Sequence, residues 1–413
     1  MKRVQGICLF VALAVVLSGI PATGQAALRG LSEKGKAEID GLFQRAVQQG
    51  IVPGVVAIVA DKDKVLYAGA FGLKDVANRK AMQKDSIFRI ASMTKPVTSV
   101  AVIMLQEQGK LKVDDPVSKY LPAYKDREVI ATFNEKDGTH TTRKATKEIL
   151  IRHLLTNTSG FAYGFSNYTV NQLQEKTGKQ PEELPLLYEP GSQWTYSGST
   201  KILGQVVEQL SGVHLDEFFS ARIFKPLGMQ ETFYIVPGDK RDRVVTAHSR
   251  QNGALVETPN PERIAAPVAG DGGLNSTASD YIQFLQMLLN EGTWHGTTLL
   301  SKESVQSMTK NQIGQVIVQT QPGAIPARSN PFPLGAGRDK FGFGFQITAS
   351  NRENPNLRAP GSYTWAGIYN THFWVDPKRQ IAAVILMQVL PFYDDGCIKL
   401  YQGFEEAIGR NLH

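Results

Sequence analysis

A proline fixes the most informative boundary in this chain. Pro96 lies inside Phe88–Gly109, FRIASMTKPVTSVAVIMLQEQG, where Val97, Val100, Ala101, Met104 and Leu105 recur at helical spacing. Proline has no N–H, so a helix accepts it only in the first turn, whose donors lack partners anyway. The helix therefore starts close to Ser92, after a turn at Ala91–Ser92, and Lys95 lies one turn on along the same face. A serine so placed stands at the positive end of the helix dipole, near unpaired amides that can receive an oxyanion. A lysine held beside it can act as the base that takes the serine proton. The stretch predicts a serine hydrolase with a Ser-x-x-Lys nucleophile. The same four letters recur at Ser307-Met308-Thr309-Lys310. That copy falls late in an amphipathic helix, where a solvated serine is the expectation.

The flanking chain predicts the framework. Ser32–Gln49 has helical spacing, and Gly54–Ala60 with Val65–Phe71 reads as a hairpin turned at Asp61–Lys64. Near the other end, Phe341–Ile347, Gly367–Val375 and Ile381–Val389 read as strands, and a helix follows over about Ile398–Ala407. Thr277–Asp280 caps an amphipathic helix, Tyr281–Asn290. Between the two halves the texture is helical or irregular, with few convincing strands. The expectation is an α/β fold in which one antiparallel sheet, flanked by helices, is built from both chain ends. Residues 27–110 and 265–413 form that discontinuous domain, and 111–264 form a mainly helical insertion. Pro322–Lys340, dense in Pro and Gly, is a long loop placed to border a pocket.

Lys2 and Arg3 precede the apolar run Ile7–Leu17, and Ala22, Gly24, Ala26 and Ala27 follow. This layout predicts a signal peptide over residues 1–26, cut near Ala26, with an uncleaved anchor as the alternative. Cleavage removes Cys8 and leaves Cys397 alone, so no disulfide framework forms and stability rests on the core. The expectation is a periplasmic or secreted bacterial protein without stable membrane insertion. The net charge is +7, with basic residues scattered among acids. No Lys/Arg run or aromatic platform supports nucleic-acid binding. No His/Cys spacing predicts a metal site, and no Gly-rich loop fits a phosphate or dinucleotide cofactor.

Two more segments carry chemistry. Trp194–Ser199 offers Tyr196 in a turn before a helix, where a tyrosine beside a lysine can share proton transfer; a core tyrosine bonded to backbone is the plainer reading. Gly361–Tyr369 places small residues ahead of a strand, and its Ile368 amide is a candidate to complete an oxyanion hole with the Ser92 amide. A tight turn with a packing tryptophan is the alternative there.

Ser92–Lys95, His153–Gly160, Tyr196-Ser197-Gly198, Gly272–Thr277 and Trp365-Ala366-Gly367 occur in the order seen in β-lactamase-like serine hydrolases. The chain resembles that superfamily, which contains class C β-lactamases, D,D-carboxypeptidases, D-aminopeptidases and family VIII carboxylesterases. The resemblance implies a β-lactamase/transpeptidase-like fold, an acyl-enzyme on Ser92, activation by Lys95, proton shuttling by Tyr196, and an oxyanion hole from the Ser92 and Ile368 amides. It implies no cofactor. Substrate-binding positions carried over are Gly198, Trp365, Ala366 and Gly367. Two depart from class C: Gly198 stands where that class has asparagine, and Trp365 where it has lysine. An indole supplies no cation, so anionic substrates lose a contact worth about 1.5–3 kcal/mol, whereas a neutral ester gains an apolar wall. On charge alone, Trp365→Lys should improve the handling of anionic substrates. Trp-x-Gly looks like family VIII esterases. His153 and Asn157 are structural in this pattern, and His372 has no Gly-x-Ser-x-Gly elbow to serve. The reading is an exported carboxylesterase acting on small short-acyl esters. The alternatives are β-lactam hydrolysis, D-amino-acid peptide cleavage, and a non-catalytic binder or sensor.

Overall fold

Strands from the two ends of the chain meet side by side in one eight-stranded sheet. In spatial order they are Lys340–Phe341, Gln346–Ile347, Tyr363–Gly367, Thr371–Asp376, Ile381–Leu386, Gly54–Ala60, Val65–Asp75 and Lys80–Ala81, with every neighbouring pair antiparallel. The computed structural model describes residues 30–349 and 354–413. The expected signal peptide, with Cys8, lies outside the described residues. The seam between the chain ends pairs Val56 with Leu386 and Ala60 with Ala382.

Gly54–Ala60 is buried along its whole length because both faces are covered. Its side chains alternate with the pleat. Val55, Ala57 and Val59 pack under the terminal helices Glu33–Gln48 and Asp395–Asn411, together with Phe43 and Phe404. Val56, Ile58 and Ala60 face the core that holds helices Thr94–Glu107 and Ala278–Leu289. The Phe43 and Phe404 rings sit 5.3 Å apart, and burying a side chain of that size contributes roughly 1.5–3 kcal/mol. Ser32 caps the first helix by accepting the Gly35 amide at 3.0 Å.

Three local readings change. The expected strand Gly367–Val375 is broken at Ile368–Asn370, where Asn370 takes φ +59°, so Trp365–Gly367 belongs to one strand of a hairpin and Thr371–Val375 to the other. Phe341–Ile347 is split by a turn through Gly344, φ +93°. The insertion holds two hairpins, Glu128–Phe133 with His140–Lys144 and Ala247–Gln251 with Ala254–Thr258. The second is joined in parallel by Val389–Leu390, which ties it to the C-terminal part of the chain. These strands are short and largely exposed or half-buried, and His140–Lys144 and Ala247–Gln251 carry polar or charged side chains on both faces, so the apolar pattern that marks a strand is weak or missing.

Candidate active site

The strand Phe88–Arg89 pairs with Asn275–Ser276 and brings the chain to Ala91, which adopts φ +45°. A residue with a Cβ pays about 1–2 kcal/mol for that left-handed conformation. The bend throws Ser92 into a short turn, Ala91–Met93, at the head of helix Thr94–Glu107, with Pro96 in that helix's first turn as the missing N–H requires. Neighbours hold the strained turn in place. Thr94 Oγ1 donates to the Ala91 carbonyl at 2.7 Å and accepts the Leu274 amide at 3.3 Å, and Tyr281 donates to the Met93 carbonyl at 2.9 Å.

Lys95 is 2% exposed, and its ammonium nitrogen has three oxygens around it. It lies 3.5 Å from Ser92 Oγ, 2.9 Å from Tyr163 Oη and 2.7 Å from the Asp271 carbonyl. Tyr163 in turn donates to Asp271 Oδ2 at 2.5 Å. Burial and the adjacent Asp271 carboxylate hold the Tyr163 hydroxyl well above its usual pKa, so it stays protonated and presents only a lone pair to Lys95. In its amine form Lys95 has two N–H bonds. With these donated to Tyr163 and Asp271, the remaining lone pair points toward Ser92 Oγ, which is the geometry a base needs.

Tyr163 and Asp271 are thus functional residues that the sequence reading missed. Tyr163→Phe should lower kcat by about 10- to 100-fold with little change in KM, because Lys95 is then drawn to the Asp271 carboxylate and away from Ser92. Asp271→Asn, which keeps an acceptor for the tyrosine, should lower it less. Steady-state kinetics of both variants checks this, and equal losses would count against the pairing.

Tyr196 is 3% exposed, and its ring lies 5.0 Å from the Lys95 nitrogen. The segment around it is pinned by the backbone: Tyr196 N donates to Gln321 Oε1, and Asn157 accepts Ser197 N and Oγ on its side chain and Thr195 N on its carbonyl. Asn157 positions this segment of the site without lining the pocket. Ser92, Tyr163, Tyr196, Asp271, Trp365, Ala366 and Ile368 line one pocket of about 200 Å³, with Phe165, Phe392 and Arg328 completing its rim. Ile368 occupies the turn after the strand Tyr363–Gly367, beyond the strand ladder. Gly198 and Gly367 act from behind the wall. A Cβ on Gly198 would touch Asp271 Oδ2 and Tyr163 at 3.4 Å, so that pair occupies the space into which a side chain at 198 would project. A Cβ on Gly367 would collide with the Ile90 carbonyl, and glycine there lets the strand close on the Ser92 turn.

The decoy separates cleanly. Ser307 Oγ accepts from Gln312 in the helix Lys302–Met308, and Lys310 is exposed. His153 accepts the Leu150 amide at Nδ1, and His372, on a sheet strand, stacks 4.5 Å from Tyr401 of the C-terminal helix. Burial, with Arg358 nearby, pushes His372 down to about 3; burial, with Arg152 nearby, pushes His153 down to about 4. Both are neutral in the fold below pH 6.5, whereas the unfolded chain takes up protons there. The contribution of these two histidines is therefore fully present above pH 6.5 and falls as pH drops toward 4, by up to about 1.4 kcal/mol per pH unit each, while Asp280, which burial pushes up to about 6, runs the opposite way over the same window. Urea midpoints measured across that window should fall less steeply with decreasing pH in His372→Phe than in the wild type.

Comparison with known proteins places this arrangement. The Beta-lactamase family matches residues 39–407. Protein Rv1367c of Mycobacterium tuberculosis is 32% identical over 360 residues, covering 83% of this chain and 87% of that protein. Esterase EstB of Burkholderia gladioli is 26% identical over 394 residues, covering 85% and 89%. Among solved structures, unliganded simvastatin synthase from Aspergillus terreus superposes with a TM-score of 0.77 at 25% identity, over 92% of this chain and 98% of that one.

Proposed function

The chain belongs to the β-lactamase family of serine hydrolases and has the β-lactamase/transpeptidase-like fold, and on that premise we propose that it is an exported carboxylesterase that cleaves small, short-acyl esters through an acyl-enzyme at Ser92. Ser92 Oγ attacks the acyl carbon as its proton moves to Lys95, and the carbonyl π pair becomes an oxyanion facing the Ser92 and Ile368 amides. Collapse breaks the bond to the alkoxy oxygen, which leaves with a proton delivered through Tyr196. Water then repeats the sequence on the acyl-serine, releasing the acid and restoring Ser92.

The observation that carries the ester reading is Trp365. It is 6% exposed, lines the same pocket as Ser92, and packs 5.0 Å from Tyr196. An indole there shapes an apolar wall against an acyl chain and leaves no cation at the position where class C enzymes have lysine. The esterase named among the relatives supports the same reading. The test is turnover of p-nitrophenyl butyrate against a chromogenic cephalosporin, with mass spectrometry of the protein quenched during turnover. Ester turnover with an acyl group on the Ser92 peptide is expected. Faster cephalosporin turnover would reverse the substrate order, and no turnover of either would favour a binder or sensor. Export is checked by N-terminal sequencing of protein recovered from periplasm or medium, where a start near Ala27 is expected.

A further inference from the structure

The pocket has a cation at its rim, Arg328, that makes no ion pair among the described residues. The segment around Arg328 is tied to two of the pocket's own walls. Ile325 N donates to the Phe165 carbonyl at 3.1 Å, Asn330 N to the Phe392 carbonyl at 2.8 Å, and Phe392 N to the Arg328 carbonyl at 2.9 Å. Arg328 N closes the turn onto the Ile325 carbonyl at 2.8 Å. The backbone that carries this arginine is therefore fixed relative to the reacting serine. Its side chain is exposed, and the guanidinium lies 5.6 Å from the centre of the Phe165 ring. An aromatic face orients a guanidinium while leaving its edge N–H donors unengaged.

Charge bookkeeping inside the pocket singles this group out. Asp271 is the only carboxylate among the lining residues, and its Oδ2 is taken by Tyr163 while its carbonyl accepts Lys95. With Lys95 in the amine form the reaction needs, the Asp271 carboxylate at the base of the site is engaged by the Tyr163 hydroxyl and makes no ion pair with Arg328. Arg328 makes no side-chain hydrogen bond or ion pair among the described residues, so one positive charge is left at the mouth. The chain's net charge of +7, or +5 once cleavage removes Lys2 and Arg3, adds a field that draws anions toward it.

We infer that Arg328 makes this an anion-recognising esterase pocket, whose substrate is a small ester bearing a carboxylate at the end remote from the scissile bond. The inference rests on the ester reading of Ser92. The substrate's acyl carbon sits at Ser92, its apolar part lies along Phe165 and Trp365, and its carboxylate meets the guanidinium edge, which can bind both oxygens. The pocket whose strand carries Trp365 rather than a cation is in this way given one by a separate loop.

Two matched ester pairs test this, one with the charge on the acyl side and one with it on the alcohol side. They are mono-p-nitrophenyl adipate against p-nitrophenyl hexanoate, and 4-acetoxybenzoate against its methyl ester. The readout is the ratio of kcat/KM for the anionic ester to that for its neutral partner, measured for the wild type, Arg328→Gln and Arg328→Lys. In at least one pair the ratio should fall about tenfold in Arg328→Gln and only partly in Arg328→Lys. The wild-type ratio should also fall as salt is added. Turnover of the neutral esters with both ratios the same in wild type and Arg328→Gln would overturn the role of Arg328 and leave the esterase reading standing. Turnover of none of the four esters would overturn both.

Discussion

Ser92→Ala and Lys95→Met each lower kcat/KM for a p-nitrophenyl ester by about 10³-fold or more, and the double variant falls little further. The expected lack of additivity follows from the geometry. Ser92 Oγ has one basic nitrogen within reach, that of Lys95 at 3.5 Å, and that nitrogen is held by Tyr163 and Asp271. Without the amine the hydroxyl keeps its proton; without the hydroxyl the amine has nothing to activate. Methionine nearly matches the lysine stem in length, so the buried channel that holds a side chain 2% exposed stays filled. Melting curves of the variants separate lost chemistry from lost folding. Independent, multiplying losses, or activity that survives in Ser92→Ala, would sink the mechanism.

Trp365→Lys destabilises the protein by about 3–5 kcal/mol, and this loss dominates any gain toward anionic substrates. Considered as a substitution in a sequence, it restores the charge found in class C enzymes. In the fold, Trp365 is a wall residue whose ring lies 5.0 Å from Tyr196, 5.4 Å from Phe341 and 6.4 Å from Trp194. Removing the indole opens a cavity among these rings, and the lysine that replaces it brings an ammonium with no carboxylate in that cluster to meet it. The stem can reach out into the pocket, but doing so leaves the space behind it empty. Urea unfolding should show a lower midpoint for Trp365→Lys than for Trp365→Phe. A wild-type midpoint for the lysine variant would mean that the wall repacks freely and that the rings do not depend on the indole.

Much of the framework was legible because it is written locally. The β-branched run Gly54–Ala60 bounded by the turn at Asp61–Lys64, the cap at Thr277, and the apolar spacing after Pro96 each specify an element within a few residues of themselves. The hairpins of the insertion were not legible, because their strands are short, mostly exposed or half-buried, and interleave apolar with polar residues without a sustained apolar face. The turn at Ile368–Asn370 was obscured for the opposite reason. The strands on either side of it are buried on both faces, so the residues run on without alternation and the break carries no strong signal of its own.

The sequence by itself determined where the helix behind the candidate nucleophile begins. A proline without an N–H must sit in the first turn, and that alone places Ser92 at the helix head with Lys95 one turn on. It also exposed the two departures, Gly198 and Trp365, that turn attention from lactams to esters. The tertiary structure alone decided what surrounds the lysine and the pocket mouth. Tyr163 reaches Lys95 across 68 positions of sequence and Asp271 across 176, and Arg328 arrives on a loop held by Phe165 and Phe392. Periodicity and capping act over a turn or two of chain, whereas these contacts exist only once the sheet, the insertion and the long loop have packed together.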